Sequence, residues 1–390
     1  LGQYQQLSYQ MINTLPCTKD GVKDIAQISI DYVELLKRDN DEFEKFLRKY
    51  ANEVNHYQML ADLYAQNHEF GNSKFFRYEK KEIIKQYVFR MRKGKIMVNG
   101  DNLTVCGNPY ALLLYSVGED FEKDPTLSQE SNCIQCYTKR FDDNEYLAAF
   151  RNPHNSPNNV CYLHNLYSDE MDKYFAFSKN IIAVNCIHTD IQDRANGMDE
   201  DSDFMLVTNQ PTMVKCAERC YKEFYTIVNA LQESGITYNN TKKDYAAMDN
   251  KFSKSRMGIG YSSNLAQLAM TYYWTELQKD NPDENKLKEL YDNFIILSVL
   301  AQVIIDGCKR EYEIDGNKEI DRISKLPCMS IKRIVGYSES GKPKYKKYDF
   351  PEFMKYTREI KYTKDGKELP QEEIDESKNK LKSRINKALL

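Results

Sequence analysis

Three aspartates, Asp199, Asp201 and Asp203, alternate with other residues in the run Ala195-Asn196-Gly197-Met198-Asp199-Glu200-Asp201-Ser202-Asp203-Phe204. The apolar, β-prone runs Ile181–Ile187 and Phe204–Thr208 lie on either side, so the aspartates are expected on a loop between two strands. On a bent loop three carboxylates can converge on one point, where they repel one another unless a cation sits among them. Oxygen-only donors favour Mg²⁺ over zinc or copper. Three readings compete: a solvated acidic turn, a calcium loop, and an Mg²⁺ site for phosphoryl transfer. A calcium loop of the EF-hand type needs Gly at its sixth position and Glu at its twelfth. Those positions hold Phe204 and Gln210, and strands flank the loop instead of helices, so calcium fits poorly.

Other residue sets carry less. Cys133-x-x-Cys136, with Cys161 and His164, could make a zinc site, but the spacing is loose for four tetrahedral ligands, and a plain loop pair is the competing reading. Cys216-x-x-x-Cys220 sits on an apolar helical stripe and reads as core. His154 and His188 read as structural. Lys342-Pro343-Lys344-Tyr345-Lys346-Lys347 could track phosphates and stack a base, and is equally well a solubilising charge run.

The elements that must position the aspartates follow from periodicity. Residues 1–88 read as helices, with Phe43, Phe46, Leu47 and Tyr50 at helical spacing. From Val88 short β-prone runs take over: Lys95–Val98 and Leu103–Cys106 with Asn99-Gly100-Asp101 as a hairpin turn between them, then Tyr146–Phe150, Asn159–Leu163, Ile181–Ile187 and Phe204–Thr208. Short strands with irregular crossings suggest a small closed barrel. After Pro211 the pattern is helical again. One apolar face runs from Ala217 to Leu231 and ends at Gly235; a helical pair covers Ser263–Lys279 and Glu284–Lys309. The division expected is 1–88 helical, 89–212 barrel, 213–325 helical and 326–390 a basic C-terminal region. The last 60 residues hold 16 Lys and Arg against 10 Asp and Glu, while the chain as a whole has a net charge of −3.

Three segments, in this order, resemble the RNA polymerases built on double-psi β-barrels. That family includes the beta-prime subunit of cellular RNA polymerase, the RNA-dependent polymerases of gene silencing and single-chain phage polymerases. Phe89–Lys95 with Asn99-Gly100 and Leu103–Val105 resembles the strand pair that opens the beta-prime barrel. Arg151-Asn152-Pro153-His154-Asn155-Ser156-Pro157 resembles the R-x-P loop in its silencing-enzyme R-N-P form. Asp199-Glu200-Asp201-Ser202-Asp203 resembles the D-x-D-G-D signature. A looser likeness downstream, Met257–Gly260 with Ser263-Asn264 and then Leu300-Ala301 and Asp306-x-x-Lys309, points toward the single-chain enzymes. The resemblance spans about 88–310. Two positions depart from the signature: Ser202 replaces its Gly, and Glu200 replaces an apolar second residue.

The resemblance implies an α+β fold, a double-psi β-barrel flanked by helical N- and C-terminal regions. It implies template-directed RNA synthesis by nucleotidyl transfer, with Asp199, Asp201 and Asp203 as metal ligands and catalytic residues. One Mg²⁺ would act on the RNA 3′-hydroxyl, and a second would arrive with the nucleoside triphosphate. Arg151 would lie near the nucleotide ribose, and Asn196 is an approximate counterpart, displaced by one position, of the family's asparagine before the triad. The partners implied are a nucleic acid template, the RNA product and nucleoside triphosphates. A catalytically degenerate barrel that binds nucleic acid or a partner, and a metal-dependent nuclease, remain as alternatives. The related enzymes place the site between two barrels, and one is legible here. With a first residue other than Met, the 390 residues are therefore expected to be part of a larger polymerase, the second barrel lying on the same longer chain or on a partner subunit. A chain that is 41% hydrophobic and 29% charged is too ordered in composition for disorder, and its balance excludes a globally basic coat. With no signal peptide, no long apolar span and ten cysteines without a regular spacing, a cytoplasmic location with reduced thiols is expected, and no membrane partner.

Overall fold

The computed structural model describes residues 4–127, 132–307, 311–329, 332–338 and 340–347. A short strand β1 (Tyr4–Gln6) precedes helices α1 (Tyr9–Thr14), α2 (Lys19–Arg38), α3 (Asn40–Tyr50), α4 (Tyr57–Gln66) and α5 (Lys74–Arg92). Their starts are written in side chains. Thr18 accepts from Gly21 N to open α2, Asp39 accepts from Asp41 N and Glu42 N to open α3, and Ser73 accepts from Phe76 N to open α5. Phe43, Phe46 and Leu47 are buried as their spacing requires, packed with Leu36, Phe76 and Tyr87 in a core of their own. The helix α5 runs through Phe89–Arg92, so these residues are helical and not part of the opening strand pair expected from the resemblance.

Next come β2 (Met97–Cys106), α6 (Pro109–Ser116), β3 (Ile134–Tyr137), β4 (Glu145–Phe150), β5 (Cys161–Asn165), α7 (Asp169–Tyr174), β6 (Ile181–Val184), α8 (Ile191–Arg194) and β7 (Phe204–Thr208). Six strands close in the order β2-β6-β3-β5-β4-β7, with β7 returning to β2. The pairs β2/β6 and β3/β5 are parallel and the other four antiparallel. Alternate residues face inward, as a strand period of two demands. Leu103 and Val105, Leu147 and Ala149, Cys161 and Leu163, Ile182 and Val184, and Met205 and Val207 fill the barrel. The opposite set, including Val98, Ala148, Phe150, Tyr162 and Leu206, packs outside against Leu7, Met11 and Ile25 and against Met213, Cys216, Ala217 and Cys220 of α9 (Pro211–Glu223).

The expected hairpin at Asn99-Gly100 is absent. Gly100 lies within the continuous strand β2, opposite Thr208 of β7. A Cβ there would stand 2.6 Å from the Val207 carbonyl oxygen, so the glycine serves close strand approach, not a turn. The helix expected to reach Leu231 ends at Glu223. Phe224 and Ile227 stay buried beyond it, but the Phe224 carbonyl is taken by Arg194 Nη2 (2.9 Å).

Long helices α10 (Lys242–Leu277) and α11 (Glu284–Asp306) form a hairpin completed by α12 (Gly316–Ser324), with Leu268, Phe294, Leu297 and Ile323 in its core. Strands β8 (Lys332–Tyr337) and β9 (Pro343–Lys347) pair antiparallel where only a basic region was expected. Lys309 and residues 348–390 of that region lie outside the described residues. Among the described residues no helix is long and apolar enough to cross a membrane.

Candidate metal centre

The aspartates sit between α8 and β7, on a loop built to a fixed shape. The amides of Gly197 and Met198 both donate to the Gln192 carbonyl (2.9 Å each), wrapping the chain back over α8. Asn196 and Gly197 take left-handed φ values of 60° and 72° to allow it. The Met198 side chain is buried in the barrel, so the three aspartates that follow are carried at its mouth. At the far end Asp203 leads directly into β7, its carbonyl accepting from Val105 N (2.9 Å). Ser202 between them has φ 95°, the tight position at which the D-x-D-G-D signature has glycine.

One carboxylate oxygen from each of Asp199, Asp201 and Asp203 lies within 4.8 Å of the others, with Asp199 and Asp201 exposed and Asp203 half-buried. Oxygens on one Mg²⁺ are at most about 4.2 Å apart, twice its bond length, so the donor set fits the ion after a small contraction. Among the described residues this is the one group of three or more potential ligands. Asp203 Oδ2 is held by Arg151 Nη2 (2.8 Å) and by the Asp199 amide (3.0 Å). That double anchor fixes the carboxylate's direction, the task outer partners perform for metal ligands. Glu200 turns elsewhere. Its carboxylate lies against Gly107 and 3.9 Å from Cys186 Sγ. Burial first, and Glu200 second, push the Cys106 and Cys186 thiols up to about 11 and about 12.

Arg151 reaches the triad because β4 and β7 are neighbours, with Phe150 opposite Leu206. Its Nη1 donates to the carbonyls of Ala195 (3.2 Å) and Asn196 (3.0 Å). The Asn196 side chain, 4% exposed, donates to the Pro153 carbonyl (3.0 Å) and accepts from Gln302 Nε2 on α11 (2.7 Å). The structure thus brings together all five residues singled out from sequence, Arg151, Asn196, Asp199, Asp201 and Asp203.

Sequence reasoning missed three supports. Gln302 is one. Its signal was present, a polar residue inside the apolar run Phe294–Ile305. Gln267 of α10 donates to the His154 carbonyl (3.1 Å) and holds the Arg151 loop. Arg194, 2% exposed, ties α8 to Val160 (3.1 Å), Phe224 and Thr226 (3.1 Å). The zinc quartet does not assemble. Cys136 and Cys161 point into the barrel and Cys133 to the outer layer, while His164 bonds Asn144 (2.8 Å) and stacks on Tyr146.

No family model matches the sequence, and no curated protein matches it. The solved structure of the RNA dependent RNA polymerase QDE-1 from Thielavia terrestris is similar over 86% of this chain, with a TM-score of 0.50 and 12% identity. The two share a fold. It is a double-psi β-barrel between helical regions, as the motifs implied. The chain spans 39% of the length of that polymerase.

Proposed function

We propose that this chain is the catalytic part of an RNA polymerase, a nucleotidyltransferase that extends RNA on a nucleic acid template. The observation that carries the reading is the convergence of three aspartate carboxylates at the mouth of a barrel of the polymerase fold. Asp199, Asp201 and Asp203 would hold Mg²⁺. Bound there, the ion supplies charge stabilisation and an acidified RNA 3′-hydroxyl for in-line attack on a nucleoside triphosphate. The rest of the chemistry belongs to the protein. Arg151 keeps Asp203 aimed at the ion and, with donors to spare on its guanidinium, faces the ribose. Asn196 acts through the loop it holds, since both ends of its amide are engaged with protein.

The triphosphate carries more charge than this site balances, so cations from a second barrel complete it, supplied by the same longer chain or a partner subunit. Among the described residues the only other sheet is the β8–β9 pair, which supports that need. The test is nucleotide incorporation by the chain within its longer polypeptide or assembly, given Mg²⁺, nucleoside triphosphates and separate DNA and RNA templates. Labelled RNA is expected, and its loss in Asp201→Ala. Shortening of the added RNA instead would favour a nuclease. Full synthesis by Asp201→Ala would overturn the assignment.

A further inference from the structure

The segment joining α1 to α2 lies along α9. Arg219 Nη1 donates to the Pro16 carbonyl (3.1 Å). A Cβ on Gly21 would stand 3.1 Å from the Thr212 methyl, and Asp24 Oδ2 accepts from Thr212 Oγ1 (2.6 Å) and Gln210 Nε2 (2.9 Å). Within this frame Cys17 Sγ meets Cys216 Sγ at 3.1 Å, across 199 residues of sequence. Cys216 is 6% exposed and Cys17 half-buried. The apolar stripe of α9 explains why Cys216 and Cys220 are buried, but not why a third, partly exposed sulfur is brought against the first.

We propose that Cys17 and Cys216 form an oxidation site at which a hydroperoxide makes a disulfide, stapling the N-terminal helices to α9. The sulfurs need approach by only about 1 Å to reach disulfide length, in a frame already held on both sides. Either sulfur can donate its S–H to the other, and the Arg219 guanidinium close by favours a thiolate in the pair. One sulfur of the pair attacks as the thiolate, and Cys216, on the helix that also carries Arg219, is assigned that role. Its sulfur bonds the terminal peroxide oxygen as the O–O bond breaks, and the remaining oxygen leaves as water or alcohol. The Cys17 sulfur then attacks the Cys216 sulfenic acid. The S–S bond forms, the S–O bond breaks, and the hydroxyl departs with the Cys17 proton as water. The two thiols together lose two electrons, which the hydroperoxide gains.

The native full chain is treated with hydrogen peroxide, free thiols are blocked, and peptides are mapped without reduction. The expected product is a cross-linked peptide pair joining Cys17 to Cys216, reversed by a dithiol reductant. Cys17→Ser abolishes the pair and leaves Cys216 as a sulfenic acid open to a dimedone probe. Because the wild-type map needs no variant, a misfolded mutant cannot hide the answer. Native, peroxide-treated protein in which both cysteines stay alkylatable, or in which Cys216 pairs with Cys220 instead, overturns the proposal.

Discussion

Replacing Gln302 by leucine removes one hydrogen bond and leaves one buried acceptor, Asn196 Oδ1, without a donor. Leucine restores most of the buried volume, so the loss is polar: about 1–3 kcal/mol for orphaning a buried amide oxygen. In a chain this size that lowers Tm by about 1–4 °C. Gln302 is far from the aspartates in sequence, yet Asn196 begins the turn that carries them. If the whole loss falls on that loop, divalent-ion affinity drops by roughly fivefold to more than a hundredfold. The assay is titration with Mn²⁺ by electron paramagnetic resonance, beside thermal unfolding with and without the ion. Gln302→Glu should cost at least as much near neutral pH, because a carboxylate offers Asn196 Oδ1 no proton. A Gln302→Leu protein with unchanged Tm and unchanged Mn²⁺ affinity would refute the claim that α11 sets the shape of the metal loop.

Other outcomes follow from single contacts. Ser202→Gly relieves a left-handed φ and should keep metal binding, with stability changed by less than about 1 kcal/mol; collapse of Mn²⁺ binding would mean the loop has another geometry. Gly100→Ala drives a methyl into the Val207 carbonyl of the partner strand and should destabilise by roughly 2 kcal/mol or more, read by denaturant unfolding. His154 is wholly buried, and burial holds its pKa down to about 3, so it stays neutral when folded and charges when unfolded. Its contribution is complete above the unfolded value and is lost as pH falls from about 6.5 toward 3, reaching roughly 2 kcal/mol near pH 5. Wild type and His154→Asn should therefore converge in stability as pH falls through that window, and parallel curves would count against it.

The parts of the fold legible in sequence were those set by local spacing. Tyr146–Phe150, Ile181–Ile187 and Phe204–Thr208 show strand-prone runs, though the second strand stops at Val184, and the aspartates stand in one short stretch. The strand Ile134–Tyr137 escaped because four residues, one of them Cys136 of a supposed loop pair with Cys133 just before the strand, give too short a pattern. Gly100 misled because glycine after asparagine signals a turn when read along the chain, whereas here the cause lies across it, in the carbonyl of Val207. The apolar spacing past Glu223 continued without the helix: Phe224 is extended, and its carbonyl accepts from the distant Arg194 guanidinium. Gln302 and Asn196 are 106 residues apart, and nothing local joins them.

The two loops of the site hang from adjacent helices of one hairpin, Gln267 of α10 gripping the loop of Arg151 and Gln302 of α11 the loop of the aspartates. Arg151 and Asp203 then close the circuit between the loops themselves. Such a linkage has few independent ways to move. Sliding of the hairpin along the barrel would carry both loops in step and preserve the spacing of guanidinium and carboxylates, while shear of α10 against α11 would pull directly on the ion pair. The hairpin thus holds both halves of the site from behind, and the spacing of guanidinium and carboxylates depends on the register of α10 against α11.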